Sequence, residues 1–139
     1  MLLTPENVGP FLERFCVGYD GVVVSVSISM RPGPYTAVIV IDSKDNAASS
    51  GWSRLTFTVT RVEQFRFEVF KTTFEVLSGG IQIVWKDHLV FVVFDAYPDD
   101  GPDLPDLRKN MAYVAGEECR VSWGSCDRDG REVRPEQKD

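Results

Sequence analysis

Residues 51–95 read GWSRLTFTVTRVEQFRFEVFKTTFEVLSGGIQIVWKDHLVFVVFD, and their alternation decides the fold. Leu55, Phe57 and Val59 interleave with Thr56, Thr58 and Thr60. Successive side chains of a strand point to opposite faces, so Trp52 to Thr60 predicts a strand with one apolar face and one hydroxyl face. Phe65, Phe67 and Val69, with Arg66 and Glu68 opposite, predict the next strand. Phe74 to Leu77 is a short one that ends in Ser78-Gly79-Gly80, a turn or bulge that reverses the chain. Ile81 to Trp85 and Leu89 to Phe94 flank Lys86-Asp87-His88, the spacing of a tight hairpin with the Asp-His pair near its tip.

Outward from this block, strand signals persist on the N-terminal side. Val24, Val26, Ile28 and Met30 alternate with Ser25, Ser27 and Ser29, which predicts a half-buried strand. Arg31-Pro32-Gly33-Pro34 forces a turn, and Tyr35 to Asp42 is apolar enough to predict a central strand covered on both sides. Ser43 to Gly51 is a run of small polar residues, expected to be a mobile surface loop. Val8, Phe11, Leu12, Phe15 and Cys16 recur at helical spacing. Pro10 is tolerated only in a first turn, so Asn7 is the expected N-cap and Gly18 the expected end of that helix.

On the C-terminal side the alternation stops. Tyr97 to Asp106 contains three prolines and a glycine and predicts a loop. A short helix near 104–110 is expected after it, with Asp103 as cap, Asp106 three residues on and Leu104, Leu107 and Met111 as its stripe. Ala112 to Val114 and Cys119 to Trp123 predict two last strands. Residues 127–139 carry little apolar content and are expected to form a flexible tail after a single β-rich domain over 1–126. The fold class is therefore mainly β (α+β), a curved or partly closed antiparallel sheet of about seven to nine strands with an N-terminal helix.

Composition narrows the function. At 139 residues and 43% hydrophobic, the chain can bury one core. A net charge of −6 argues against general affinity for nucleic acid or anionic membranes. No apolar run is long enough to span a bilayer. Met1 to Glu6 lacks the pattern of a secretory signal. The three cysteines, Cys16, Cys119 and Cys126, fit reduced thiols and a cytoplasmic setting, with a Cys119–Cys126 bridge left open.

The charge is unevenly spread. Residues 1–94 hold eight Lys/Arg against nine Asp/Glu, and residues 95–139 hold seven against twelve. Asp95, Asp99, Asp100, Asp103 and Asp106 fall within twelve residues, with no basic residue until Arg108. Such a run is ordinarily a solvated loop with helix caps. It is also the pattern of an acidic patch for a basic partner, and Pro98, Pro102 and Pro105 reduce the entropy lost on docking. The spacing of a calcium loop is absent.

Other chemistry has thin support. His88 is the sole histidine and reads as a solvated turn residue rather than part of a triad or metal site. Cys16 and Cys119 read as small core residues, and Cys126 as the most exposed thiol. Ser78-Gly79-Gly80 is not followed by a phosphate-binding pattern. Glu63, Glu68 and Glu75 read as strand exteriors. Trp52, Trp85 and Trp123 read as packing residues at strand positions. No cofactor or metal is expected.

Two segments resemble a family: Val76-Leu77-Ser78-Gly79-Gly80-Ile81-Gln82-Ile83-Val84-Trp85-Lys86-Asp87 before an apolar strand, and Ala112-Tyr113-Val114-Ala115-Gly116 before a strand ending in Trp123. They resemble small β-rich bacterial proteins, some of them predicted immunity proteins of polymorphic toxin systems. The resemblance covers roughly a third of the chain. Its signatures are strand and turn residues, so it transfers no binding residue. It implies a non-enzymatic protein that binds another protein.

The expected function is thus a non-catalytic protein-binding domain, in its most specific form an immunity protein. A basic, toxin-like partner would meet Asp95, Tyr97, Asp99, Asp100, Asp103, Leu104 and Asp106. The alternative is a small-molecule binder with an apolar cavity among Phe65, Phe67, Phe91 and Trp85. Either a monomer or a homodimer is compatible, since pairing across a dimer is one way to cover a sheet edge.

Overall fold

Short apolar strands that alternate over long stretches must bury one face each, and two stacked sheets are one way to do it. The computed structural model describes residues 1–31, 33–67, 76–95, 112–127, 129 and 131. Among them the chain forms helix α1 (Val8–Arg14), a 3-10 turn (Cys16–Gly18) and nine strands. The strands are β1 (Gly21–Ser29), β2 (Thr36–Lys44), β3 (Trp52–Thr60), β4 (Gln64–Phe67), β5 (Val76–Leu77), β6 (Ile81–Lys86), β7 (Leu89–Phe94), β8 (Ala112–Gly116) and β9 (Glu118–Cys126). They make two antiparallel sheets that do not close, with orders β5-β1-β2-β3-β9 and β4-β8-β7-β6. The expected helix near 104–110 lies outside the described residues.

One core joins the sheets. The five-stranded sheet contributes Ala37, Ile39, Ile41, Leu55, Phe57, Val59, Cys119 and Val121, and the four-stranded sheet Ile81, Ile83, Val90, Val92, Phe94 and Val114. Helix α1 lies on the first group: the Phe11 ring stands 6.0 Å from Phe57, edge to face, and Phe15 packs 5.5 Å from Trp123. Leu2 bridges to Arg120, so the N-terminal residues lie along the edge strand β9.

Several expectations are corrected, each for a local reason. Strand β1 does not bury Val24, which is 45% exposed. A register shift between Val23 and Ser25 inserts one extra residue, so Val23 lies opposite Ile41 and Ile28 opposite Ala37, both packed against the core, while Val26, opposite Ile39, is still 37% exposed. An extra residue reverses the parity that strict alternation assumes. Strand β2 buries Ala37, Ile39 and Ile41 on one face, while on the other Val38 and Val40 stay partly exposed and only Asp42 is buried. The expected loop over 43–51 is shorter, since Ser43 and Lys44 belong to β2; residues 46–51 form an exposed to half-buried turn, and Asp45 at its start is buried. Sequence assigns no partners to the two last strands; in the fold they lie in different sheets, β8 beside β4 and β7 and β9 beside β3.

The helix also ends earlier than its apolar stripe suggests. It stops at Arg14, with Phe15 as C-cap, and Cys16, Val17 and Gly18 all take left-handed backbone angles, with φ of 53°, 57° and 75°. Cys16 is consequently half-buried rather than a core residue. Asn7 occupies the N-cap position without capping the helix amides. Its side-chain oxygen instead accepts from the Thr4 N–H at 2.8 Å, and its own N–H donates to Thr4 Oγ1. Pro10 sits in the first turn, where its missing N–H costs nothing.

The cysteines are settled by the same register. Cys119 and Cys126 lie on one strand, seven residues and so roughly 23 Å apart, on opposite faces. That separation excludes a bridge between them. Cys126 is buried beside Trp52 and Asp42 rather than exposed at the root of a tail. Burial pushes the Cys119 thiol up to about 12, and burial and the Asp42 charge push Cys126 up to about 11. Beyond β9, the Asp127 carboxylate accepts from the N–H groups of Asp129 and Arg131.

Candidate functional site

The expected partner-binding segment begins at the end of β7. Phe94 pairs with both Ile81 and Ala112, so the last residue of β7 and the first of β8 are neighbours across the ladder. Of the seven expected contact residues, Asp95 is described. Tyr97, Asp99, Asp100, Asp103, Leu104 and Asp106 lie outside the described residues.

Asp95 is held tightly. Its Oδ1 accepts from the Gly79 N–H at 2.6 Å and from Ser78 Oγ at 3.2 Å, while its own N–H donates to the Gly80 carbonyl at 2.8 Å. Its backbone is left-handed, with φ of 56°. The Ser78-Gly79-Gly80 turn that sequence identifies is thus the cradle of Asp95. Gly80 has φ of +73°, and a Cβ there would stand 2.5 Å from the Val17 carbonyl oxygen and 3.3 Å from the Tyr19 ring. Only glycine lets the turn approach the Cys16–Gly18 segment this closely. The root of the acidic segment, the Ser78–Gly80 turn and residues 17–20 therefore form one rigid corner. Tyr19, 44% exposed, and the Asp20–Lys44 ion pair complete its surface.

The opposite end of the four-stranded sheet carries a second group of charges. The Asp87-His88 turn brings His88 Nε2 to 2.9 Å from Glu63 Oε1. The Glu63 hydrogen bond and its charge raise the imidazole pKa, with smaller help from Glu117 and Asp87. Arg61 pairs with Glu117 at 3.4 Å. Here the connections β3–β4 and β8–β9 cross, joined by the Glu63 N–H to the Ala115 carbonyl and the Glu117 N–H to the Thr60 carbonyl. His88 is accordingly paired, though its side chain remains well exposed. Glu68 and Glu75 lie outside the described residues.

The buried polar groups are self-satisfied. Asp45 accepts from Arg14 Nε at 2.9 Å, Arg14 Nη2 at 3.1 Å, Ser53 Oγ at 2.6 Å and the Ala47 N–H at 2.9 Å. Burial opposes its charge, but these donors outweigh burial and hold the carboxyl below its ordinary value. The Arg14 guanidinium lies over the Phe15 and Trp123 rings, 5.0 and 5.1 Å from their centroids. Asp42 accepts two bonds from Arg54, its cross-strand neighbour. Sequence reading missed both pairs. The β2–β3 register could have found Asp42 and Arg54, but Arg14 and Asp45 are 31 positions apart and give no local signal.

The aromatic residues of the cavity reading do not converge. Phe65, Phe67 and Trp85 share the inward parity of the four-stranded sheet, whereas Phe91 pairs with Val84 and Ala115 on the other face. There it joins Leu89, Val93, Ala115 and Tyr113 in a separate cluster. Phe67 packs against Phe94, and Phe65 is 48% exposed on edge strand β4. Among the described residues, no group of three or more His, Cys, Asp or Glu is placed to hold a metal ion, and no helix is long and apolar enough to cross a membrane.

Comparison of the chain with protein-family models, with curated proteins and with solved structures gave no match.

Proposed function

We propose that the chain is a non-catalytic protein-binding domain whose partner is a basic protein. In its most specific form it is an immunity protein that occludes the basic active site of a toxin. The observation that carries this reading is the concentration of Asp95, Asp99, Asp100, Asp103 and Asp106 in a segment without a basic residue before Arg108. The fixed root supports it. Asp95 is clamped by Gly79 and Ser78, and the two stems are neighbours in one ladder. A patch hung from a rigid point loses less freedom on docking than one on a free tail.

The mechanism is occlusion with electrostatic guidance. Complementary charge speeds encounter and excludes acidic competitors. Tyr97 and Leu104 then supply the apolar anchors that hold the complex. The separation of Phe91 from Phe67 and Trp85 removes the geometric motive for a small-molecule cavity among them.

The test is a pull-down from native cell extract at low and moderate salt, read by mass spectrometry. The proposal expects a basic protein retained at low salt and lost as salt rises. Recovery of no specific partner at either salt would count against it.

A further inference from the structure

An exposed aromatic ring stands beside the root of the acidic segment, and the backbone is strained to put it there. Phe11, Phe15 and Tyr19 are spaced four residues apart. Continued helix would carry Tyr19 onto the same stripe as the two buried phenylalanines. The chain instead breaks after Arg14, and Cys16, Val17, Gly18 and Asp20 all take positive φ. A left-handed angle is costly for any side chain and most of all for a β-branched one such as Val17. Surrounding bonds hold the turn: Gly18 N–H to the Phe15 carbonyl, Tyr19 N–H to the Cys16 carbonyl and Asp20 N–H to the Leu77 carbonyl. The result is a tyrosine that is 44% exposed, set against the Gly80 backbone whose carbonyl accepts from Asp95.

We propose that Tyr19 is the aromatic contact of the partner surface and receives an arginine or lysine side chain of the basic partner over its ring, with Asp20 beside it as the counter-charge. The inference rests on the protein-binding reading above and extends it to a part of the surface outside the acidic segment. A cation above an aromatic face is attracted by the ring quadrupole, and Tyr is among the residues that most often dominate interfaces. Asp20 takes part by exchanging its present partner, Lys44, for the incoming cation. It is bound to Lys44 at 2.8 Å in a pair with both side chains largely exposed, and such pairs contribute little and exchange easily. The corner thus offers a ring, a carboxylate and a rigid backbone in one place.

The experiment titrates the full chain with octa-arginine while backbone amide resonances are followed by NMR, and repeats this with Tyr19→Leu and Tyr19→Phe. Leucine keeps apolar bulk against Gly80 and removes the ring, whereas phenylalanine keeps the ring. The proposal expects shifts at residues 19, 20, 78–80 and 95, affinity weakened roughly three- to tenfold by leucine, and near-normal affinity with phenylalanine. Thermal unfolding of each variant shows whether the fold is kept. Salt-sensitive binding through the Asp95–Asp106 segment with no response to Tyr19→Leu would overturn this inference and leave the protein-binding reading standing. Shifts confined to His88, Glu63 and Glu117 would overturn it too, and absence of any binding would count against both.

Discussion

His88 shows how a single side chain is set by a residue far away in sequence. Its nitrogen lies 2.9 Å from a Glu63 oxygen, and that bond and charge raise the imidazole pKa above its ordinary value near 6.5. A raised folded-state pKa means that folding favours the protonated form. The stabilisation is therefore fully present below the unfolded value and is lost as pH climbs through the folded one. Both groups are exposed, so the effect is expected in the titration curve more than in overall stability. Glu63→Gln should bring the His88 midpoint back toward that of a free histidine, measured from the imidazole proton shifts against pH. None of this was legible in sequence, which offered only a histidine after an aspartate in a turn. The same holds for Asp45. It stands in a run of small polar residues that reads as solvated, yet its carboxylate is buried under donors from Arg14, Ser53 and Ala47. Polarity in that run marks internal hydrogen bonding, and composition alone does not separate the two cases.

At the level of elements, the parts that sequence predicted well are those with undisturbed alternation. The β6–β7 hairpin and strand β3 match their expected spans because each residue keeps its parity from end to end. Strand β1 departs because one inserted residue flips the parity midway, and nothing in a Val/Ser alternation announces the insertion. Sequence predicts β8 and β9 as two last strands without a pairing, and in the fold Gly116 lets the chain pass between the sheets. A Cβ there would stand 2.6 Å from the Thr60 carbonyl oxygen. Gly80 makes a sharper test. Its φ is +73° and an added Cβ would stand 2.5 Å from the Val17 carbonyl oxygen, whereas Gly51 has φ of +79° and nothing within 4 Å. Gly51→Ala should cost about 1 kcal/mol through the backbone alone. Gly80→Ala should cost clearly more, on the order of 2–3 kcal/mol, because a carbonyl must also move. Urea unfolding of the two variants beside the parent chain gives both numbers, and equal costs would mean that the corner is looser than described.

At the scale of the whole molecule, the described residues place two sheets and helix α1 around a shared core that leaves its ends to connections, and the two ends differ. One carries paired charges, Glu63 with His88 and Arg61 with Glu117. The other carries the clamped root of the acidic segment, with Tyr19 and Asp20 beside it. The mainly β class was legible because period-two patterning is read residue by residue. The division into two sheets was not, because pairing partners lie far apart in the chain. The candidate surface was legible only as charge: five aspartates could be counted, but the strained turn that exposes Tyr19 departs from the helical spacing that sequence suggests. The most direct test of the central claim is the association rate with the partner recovered at low salt, followed over a range of ionic strength. The parent chain is compared with a variant carrying Asp99→Asn, Asp100→Asn and Asp103→Asn. If the acidic segment guides binding, the variant associates about tenfold or more slowly at low salt and its rate depends less on salt. Equal rates and equal salt dependence in the two chains would contradict the account.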